Sequence, residues 1–107
     1  MSRDSATLLD MLKASRLVIE FKEGMTKASF LNDSKTRSAV ILQLLILGEA
    51  TKRLSEEFRA QHQTIPWRQI AGMRDKLIHD YDEVWKTAGG DIPQLITQLE
   101  PLVPPEE

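Results

Sequence analysis

The stretch GMRDKLIHDYDEVW, residues 72 to 85, brings together three side chains that could act in catalysis: Arg74, His79 and Tyr81. An imidazole titrates near neutral pH and can take or give a proton. A guanidinium stays charged and can donate two parallel hydrogen bonds to phosphate oxygens. Cleavage of a ribose phosphodiester needs a base for the 2′-hydroxyl, an acid for the leaving 5′-oxygen and positive charge on the phosphorane. The pair suits that reaction without a metal ion, with a 2′,3′-cyclic phosphate as product.

The spacing of these residues limits how one chain could hold them. On an ideal helix Asp75 and His79 are four positions apart, so the carboxylate can orient the imidazole and raise its proton affinity. Arg74 and His79 are five positions apart, about 140° around the axis, and do not share a face. They come together if the helix ends or bends near His79, or if two copies of the motif meet across a two-fold cleft, each arginine facing the partner's histidine.

An ordinary structural role would also explain these residues. An arginine and a histidine on an exposed helix are often only solvated, or they bind carbonyl groups at a helix C-terminus. Tyr81 could be a half-buried ring with its hydroxyl at the surface. The spacing alone leaves both interpretations open.

The rest of the chain shows helical spacing of its apolar residues and no strand-like alternation. This pattern predicts an all-α fold, a four- to five-helix up-and-down bundle in a single domain over residues 1–107. Predicted helices run from about 4 to 22, from 26 to 31, from about 34 to 59 and from 67 to 81, with a last one after the AGGD segment. We expect Gly24 to end the first of them and Gly48 to allow the close approach of another helix.

The centre of the third predicted helix is apolar around its whole circumference, from Val40 to Leu47. A central core helix would explain this. A small domain has few helices with which to surround another, however, so we favour a helix with one face on its own core and one on a partner subunit. The sequence therefore predicts a homodimer.

Composition excludes several classes of protein. With no cysteine and two histidines, the chain offers no metal-ligand cluster, and no Gly-rich phosphate loop predicts a cofactor. The longest apolar stretch, Ala39 to Leu47, is about half of the ~20 residues that a membrane span needs, and the amino end does not resemble a signal peptide. We therefore expect a cytoplasmic protein.

The net charge of −2 means that any binding of nucleic acid depends on a local basic pocket.

The segment RDKLIHDY resembles the Arg-x4-His-x-Tyr signature of HEPN-domain proteins. More closely, the chain resembles the HepT toxins of HEPN–MNT toxin–antitoxin systems. The likeness extends through most of the chain. It is carried, in the expected order, by the segments LGEATKRLSEEF, IPWRQIAGMRDKLIHDY and VWKTAGGDIPQLITQLEPL.

The resemblance implies an α-helical homodimer with a composite endoribonuclease site in the dimer cleft. Carried over by position, Arg74 and His79 are the catalytic pair, and Asp75 tunes or orients the site. Tyr81 is the position whose hydroxyl the cognate MNT-type nucleotidyltransferase antitoxin modifies with AMP. The implied partners are RNA, that antitoxin and a second copy of the chain, with no cofactor and no metal.

One departure from the family concerns the residues after the motif. Family members usually carry several more residues, often VD plus a short spacer, between the tyrosine and the VW pair. Here YDEVW follows directly, which leaves the path of Asp82 to Lys86 open.

A competing hypothesis is a non-catalytic helical module that serves as partner or substrate of a nucleotidyltransferase. The acidic balance favours this alternative somewhat. A third hypothesis is a helical bundle whose only role is dimerisation. It would not explain why the RDKLIHDY motif occurs within sequence that resembles the HepT family.

Overall fold

A computed structural model describes residues 2–77 and 80–105 of the chain. Within these ranges the secondary structure is helical, as the sequence predicts. The helices are α1 (Arg3–Lys22), α2 (Lys27–Leu31), α3 (Ser34–Lys52), α4 (Glu56–Gln61), α5 (Trp67–Ala71), α6 (Arg74–Leu77), α7 (Tyr81–Lys86) and α8 (Ile92–Leu99). A π-helical segment, Thr87–Asp91, joins α7 to α8, and a 3₁₀ turn, Glu100–Leu102, follows α8.

The limits of α1 follow from local chemistry. The Ser2 hydroxyl accepts a hydrogen bond from the backbone N–H of Ser5 at 3.1 Å and so caps the start of the helix. Just beyond its end, Gly24 has a φ of 75°, in the left-handed region that glycine adopts without a Cβ clash. The predicted glycine stop is confirmed.

Helices α1 and α3 form the central antiparallel pair. The carboxylate of Asp4, in the first turn of α1, accepts hydrogen bonds from the backbone N–H and hydroxyl of Ser55, just after α3, at 2.9 and 2.7 Å. These bonds hold the pKa of Asp4 below its ordinary value. One turn before Ser55, the Thr51 hydroxyl lies 3.8 Å from the sulfur of Met11 on α1.

The segment from α7 to α8 packs antiparallel to α1. At the start of this segment, the ring of Trp85 lies under Lys22, the last residue of α1, with 5.1 Å between the ammonium and the ring centroid. At the end of the segment, the Glu100 carboxylate lies 3.8 Å from the guanidinium of Arg16 on α1. Because α5 and α6 return along α3, the chain runs up, down, up and down, which confirms the predicted bundle.

The predicted length of the third helix is wrong. We expected it to reach Arg59, but α3 ends at Lys52 and α4 begins at Glu56. The Ser55 side chain accepts a hydrogen bond from the N–H of Phe58 at 3.1 Å and so caps a new helix. Ser55 is also held by Asp4, so a long-range contact fixes the break.

The predicted break at AGGD is also wrong. The backbone passes from α7 through Thr87–Asp91 to α8 in helical conformation, and Gly89 and Gly90 lie inside the π-helical segment. Packing of the buried Ala88 and Ile92 on either side holds this stretch helical despite its two glycines.

Gly48 sets the distance between α3 and α5. A Cβ at this position would lie 3.2 Å from the carbonyl oxygen of Ile70 and 3.7 Å from that of Ala71. The close approach of two helices predicted at this glycine is therefore confirmed. It brings the segment that precedes the Arg74 motif directly against α3.

Candidate active site

The RDKLIHDY segment is not one continuous helix, contrary to the predicted helix from 67 to 81. The predicted helix is divided among three helices: α5 ends at Ala71, α6 begins at Arg74 and α7 begins at Tyr81. Asp80, directly before α7, is extended (φ −142°, ψ 98°). Its carboxylate accepts hydrogen bonds from the backbone N–H groups of Asp82 and Glu83 at 3.0 and 3.3 Å, which caps α7.

Helix α6 presents Arg74 and Asp75 to solvent. Met73 and Leu77 are buried in the core and anchor the two ends of this short helix. The side chains of Arg74 and Asp75 are exposed. They line a shallow, open depression together with Lys52 at the end of α3. This depression carries two cationic groups and one carboxylate, a combination that can hold a phosphate and orient a neighbouring base.

His79, the predicted proton-transfer residue, lies outside the described residues. The pairing of His79 with Arg74 or Asp75 therefore stays a prediction. Asp80, the residue that follows, has an extended backbone, so the predicted helix does not run unbroken to Tyr81.

Tyr81 occupies the first position of α7, and 47% of its surface is exposed. The guanidinium of Arg37, from the first turn of α3, lies over its ring, 4.5 Å from the centroid. Next to it, Asp82 is ion-paired with Lys27 at 3.1 Å. Asp82 to Lys86, whose path the sequence left open, form regular helix directly after the tyrosine.

The motif runs alongside α3 in the opposite direction. Arg74 lies near Lys52 at one end of α3, and Tyr81 lies near Arg37 towards the other end. Sequence reasoning missed both Lys52 and Arg37 as parts of the site. No local spacing could have revealed them, because each meets the motif only when α5 to α7 fold back along α3.

Two large apolar residues on α3 remain exposed. Leu42 is 53% exposed and Ile46 is 40% exposed, and they lie four positions apart on one face. Val40, Leu44 and Leu47 of the same helix are buried in the core. The chain thus covers one side of the all-round apolar helix and leaves the other side open.

No group of three or more His, Cys, Asp or Glu side chains in the described ranges is arranged to hold a metal ion. The predicted absence of a metal site stays a prediction. Over the same part of the chain, no helix is both long enough and apolar enough to cross a membrane.

The fold and the motif together are those of a helical-bundle protein of the HEPN type. The family profile described as Ribonuclease HepT-like matches residues 11–102, and the chain belongs to this family. The match includes the whole of the RDKLIHDY segment. Membership of this family supports ribonuclease activity for the chain.

Two curated relatives illustrate the similarity. The chain is 45% identical over 100 residues to "Probable ribonuclease HepT" of Thermococcus cleftensis. The aligned region covers 89% of this chain and 91% of that protein. It is 38% identical over 102 residues to "Putative RNase TTE0752" of Caldanaerobacter subterraneus subsp. tengcongensis, with 91% of each chain covered. No solved structure gives a significant match to this chain.

Proposed function

We propose that this protein is a metal-independent endoribonuclease, the toxin of a HEPN–MNT toxin–antitoxin system, and that it acts in the cytoplasm as a homodimer. The observation that carries the proposal is the Arg74-x4-His79-x-Tyr81 motif inside a family match that spans residues 11–102. The names of the two relatives, which call them ribonucleases, support the same reaction class.

The residues of the motif divide the chemistry of RNA cleavage between them. His79 of one protomer takes the proton of the 2′-hydroxyl, and the 2′-oxygen forms a bond to phosphorus. The bond from phosphorus to the 5′-oxygen breaks, and the partner's His79 protonates that oxygen as it leaves. Arg74 neutralises the charge on the phosphorane. The products are a 2′,3′-cyclic phosphate and a free 5′-hydroxyl, and Asp75 orients an imidazole.

The exposed surface of α3 supports the dimer. A second copy that packs on Leu42 and Ile46 would remove both side chains from water. In the proposed dimer, two copies of the motif meet at one cleft and together form the composite site.

The test of the proposed activity is RNA cleavage in the presence of a chelator. Purified protein incubated with total RNA and EDTA is expected to cut the RNA and to leave cyclic phosphate ends, because no step of the mechanism uses a metal ion. End-group analysis of the fragments measures the product. Cleavage that stops on chelation contradicts the metal-independent mechanism, and a folded dimer without any cleavage contradicts the enzyme.

Regulation is proposed to act on Tyr81. The phenol oxygen attacks the α-phosphorus of ATP on a partner MNT-type nucleotidyltransferase, pyrophosphate leaves, and the phenol proton passes to a base of that partner. The exposed ring of Tyr81 is accessible to such an enzyme. The attached nucleotide adds negative charge and bulk near the catalytic pair and repels RNA.

We therefore expect co-expression with the cognate nucleotidyltransferase to increase the intact mass of the protein by whole AMP units and to silence cleavage. Tyr81→Phe lacks the acceptor oxygen and should stay unmodified and active. Mass spectrometry of both proteins measures the outcome. Modification that persists in Tyr81→Phe would show that another residue is the acceptor.

The second candidate function is a non-catalytic partner of a nucleotidyltransferase. The net charge of −2 and the acidic residues around the motif favour it, because they oppose unassisted binding of RNA. This candidate predicts modification of Tyr81 without RNA cleavage by the unmodified dimer.

A further inference from the structure

Arg37 is held in place from two sides. Its Nη1 atom donates a hydrogen bond to the carbonyl oxygen of Leu31, at the end of α2. The same guanidinium lies over the ring of Tyr81, with 4.5 Å between its central carbon and the ring centroid. The side chain is partly buried. An arginine fixed in this way keeps several N–H donors for a further ligand, because a guanidinium carries five of them.

The carboxylates that neighbour Tyr81 or Arg37 in the chain have other partners. Asp80 binds the backbone N–H groups at the start of α7. Asp82 is paired with Lys27 at 3.1 Å, and Asp33 accepts hydrogen bonds from Thr36. In the described part of the chain, no carboxylate lies within salt-bridge distance of Arg37. Its positive charge is therefore directed at the aromatic ring and not neutralised by an acid.

The phenol oxygen belongs to the ring that Arg37 covers. A phosphoryl group on or beside this oxygen comes within reach of the guanidinium, which forms short, charge-assisted hydrogen bonds to phosphate oxygens. Exposure of nearly half of Tyr81 leaves room for the incoming group. Both parts of a small phosphate site, a fixed donor and an open approach, are present at this corner of the bundle.

We propose that Arg37 and Tyr81 form a phosphate-binding site, in which Arg37 positions the ring and binds a phosphoryl group at the phenol oxygen. The regulatory consequence rests on the proposed function. A nucleotide on Tyr81 is held against the protein by Arg37 instead of extending into water. The nucleotide, fixed in this position, then blocks the cleft. At the same time it occupies the Arg37 guanidinium, which is no longer free to bind an RNA phosphate.

The single tyrosine of the chain allows a direct test. Protein carrying ¹³C-labelled tyrosine gives ring signals from Tyr81 alone. Titration with inorganic phosphate, with AMP and with a short 2′-O-methyl oligonucleotide should shift these signals in a saturable manner. The AMP and oligonucleotide titrations distinguish a free nucleotide from an RNA backbone as the source of the phosphate.

Substitution of Arg37 identifies its role. Arg37→Ala should weaken phosphate and AMP binding roughly ten-fold or more, since a charge-assisted hydrogen bond is lost. Arg37→Met, which keeps the aliphatic packing, should do the same, and it replaces the alanine variant if that one does not fold. Arg37→Lys keeps the charge without the planar donors and should bind with intermediate affinity. Lys35→Ala removes an equal charge from an exposed position on α3 and should bind as the wild type does.

Three results would overturn the inference: no saturable shift with any of the probes, equal binding by the wild type and the folded Arg37 variants, or equal loss in Lys35→Ala. These results are independent of the proposed function, because the titrations need neither RNA cleavage nor the partner enzyme. Arg37-dependent binding by a protein that does not cut RNA would support the phosphate site and reject the nuclease.

Discussion

Alanine in place of His79 is expected to reduce RNA cleavage by roughly 10²–10⁴-fold, the contribution typical of a proton-transfer residue. Arg74→Ala should cause a loss of at least similar size, because one donor to developing charge contributes roughly 10²–10³-fold and a fully charged arginine more. Initial rates on a defined RNA, measured in EDTA, give both values. Arg74 is exposed on α6, so its removal leaves no cavity in the core.

The matched control for this prediction is Arg68→Ala. Arg68 is exposed on α5, the preceding helix, and its removal changes the net charge by the same amount. It should cleave RNA at close to the wild-type rate. Circular dichroism and the oligomeric state must be unchanged in all three variants. A folded, dimeric His79→Ala protein that still cleaves RNA would refute the assignment of the catalytic residue, whatever the behaviour of Arg74.

A charged residue at the centre of the exposed α3 face is expected to abolish the dimer. Leu42→Glu or Ile46→Glu would bury two symmetry-related carboxylates without partners, which should weaken the association at least roughly a hundred-fold. Both positions are exposed in the monomer, so the helical content should stay the same. Analytical ultracentrifugation measures the change from dimer to monomer mass. Cleavage should disappear with the dimer, because the composite site needs two chains.

Lys13→Glu provides the control for this substitution. Lys13 is exposed on α1, so the variant has a new charge on a surface that the proposed interface does not include. It should remain dimeric and active. Persistence of the dimer in both α3 variants would show that another surface forms the interface. A monomeric variant that cleaves RNA at the wild-type rate would refute the composite cleft and leave a site within one protomer.

Local sequence was sufficient for several parts of the fold. The glycine stop after α1 and the close approach at Gly48 were predicted correctly, since each depends on the absence of a Cβ. Breaks within predicted helices were not foreseen, and two of them have a visible cause. One is fixed by the bonds from Ser55 to Asp4, far away in the sequence, and the other by Asp80, which caps α7 where helical spacing suggested continuation.

For the candidate site too, some features could be predicted from the sequence and others could not. Residue types and spacing identified Arg74, Asp75, His79 and Tyr81, and the likeness to a family gave them roles that remain to be tested. The contacts of Arg37 with Tyr81 and of Lys52 with the Arg74 depression could not be predicted, because they join residues from separate helices.

By itself, the sequence determined the helical class, the family and the chemical groups available for catalysis, because helical periodicity, caps and motif spacing are properties of neighbouring residues. Only the tertiary structure decided that the motif is divided between two helices, that Arg37 covers Tyr81 and that Leu42 and Ile46 stay exposed. These features depend on which helix faces which. That choice is made by the burial of the whole core at once, and no single segment encodes it.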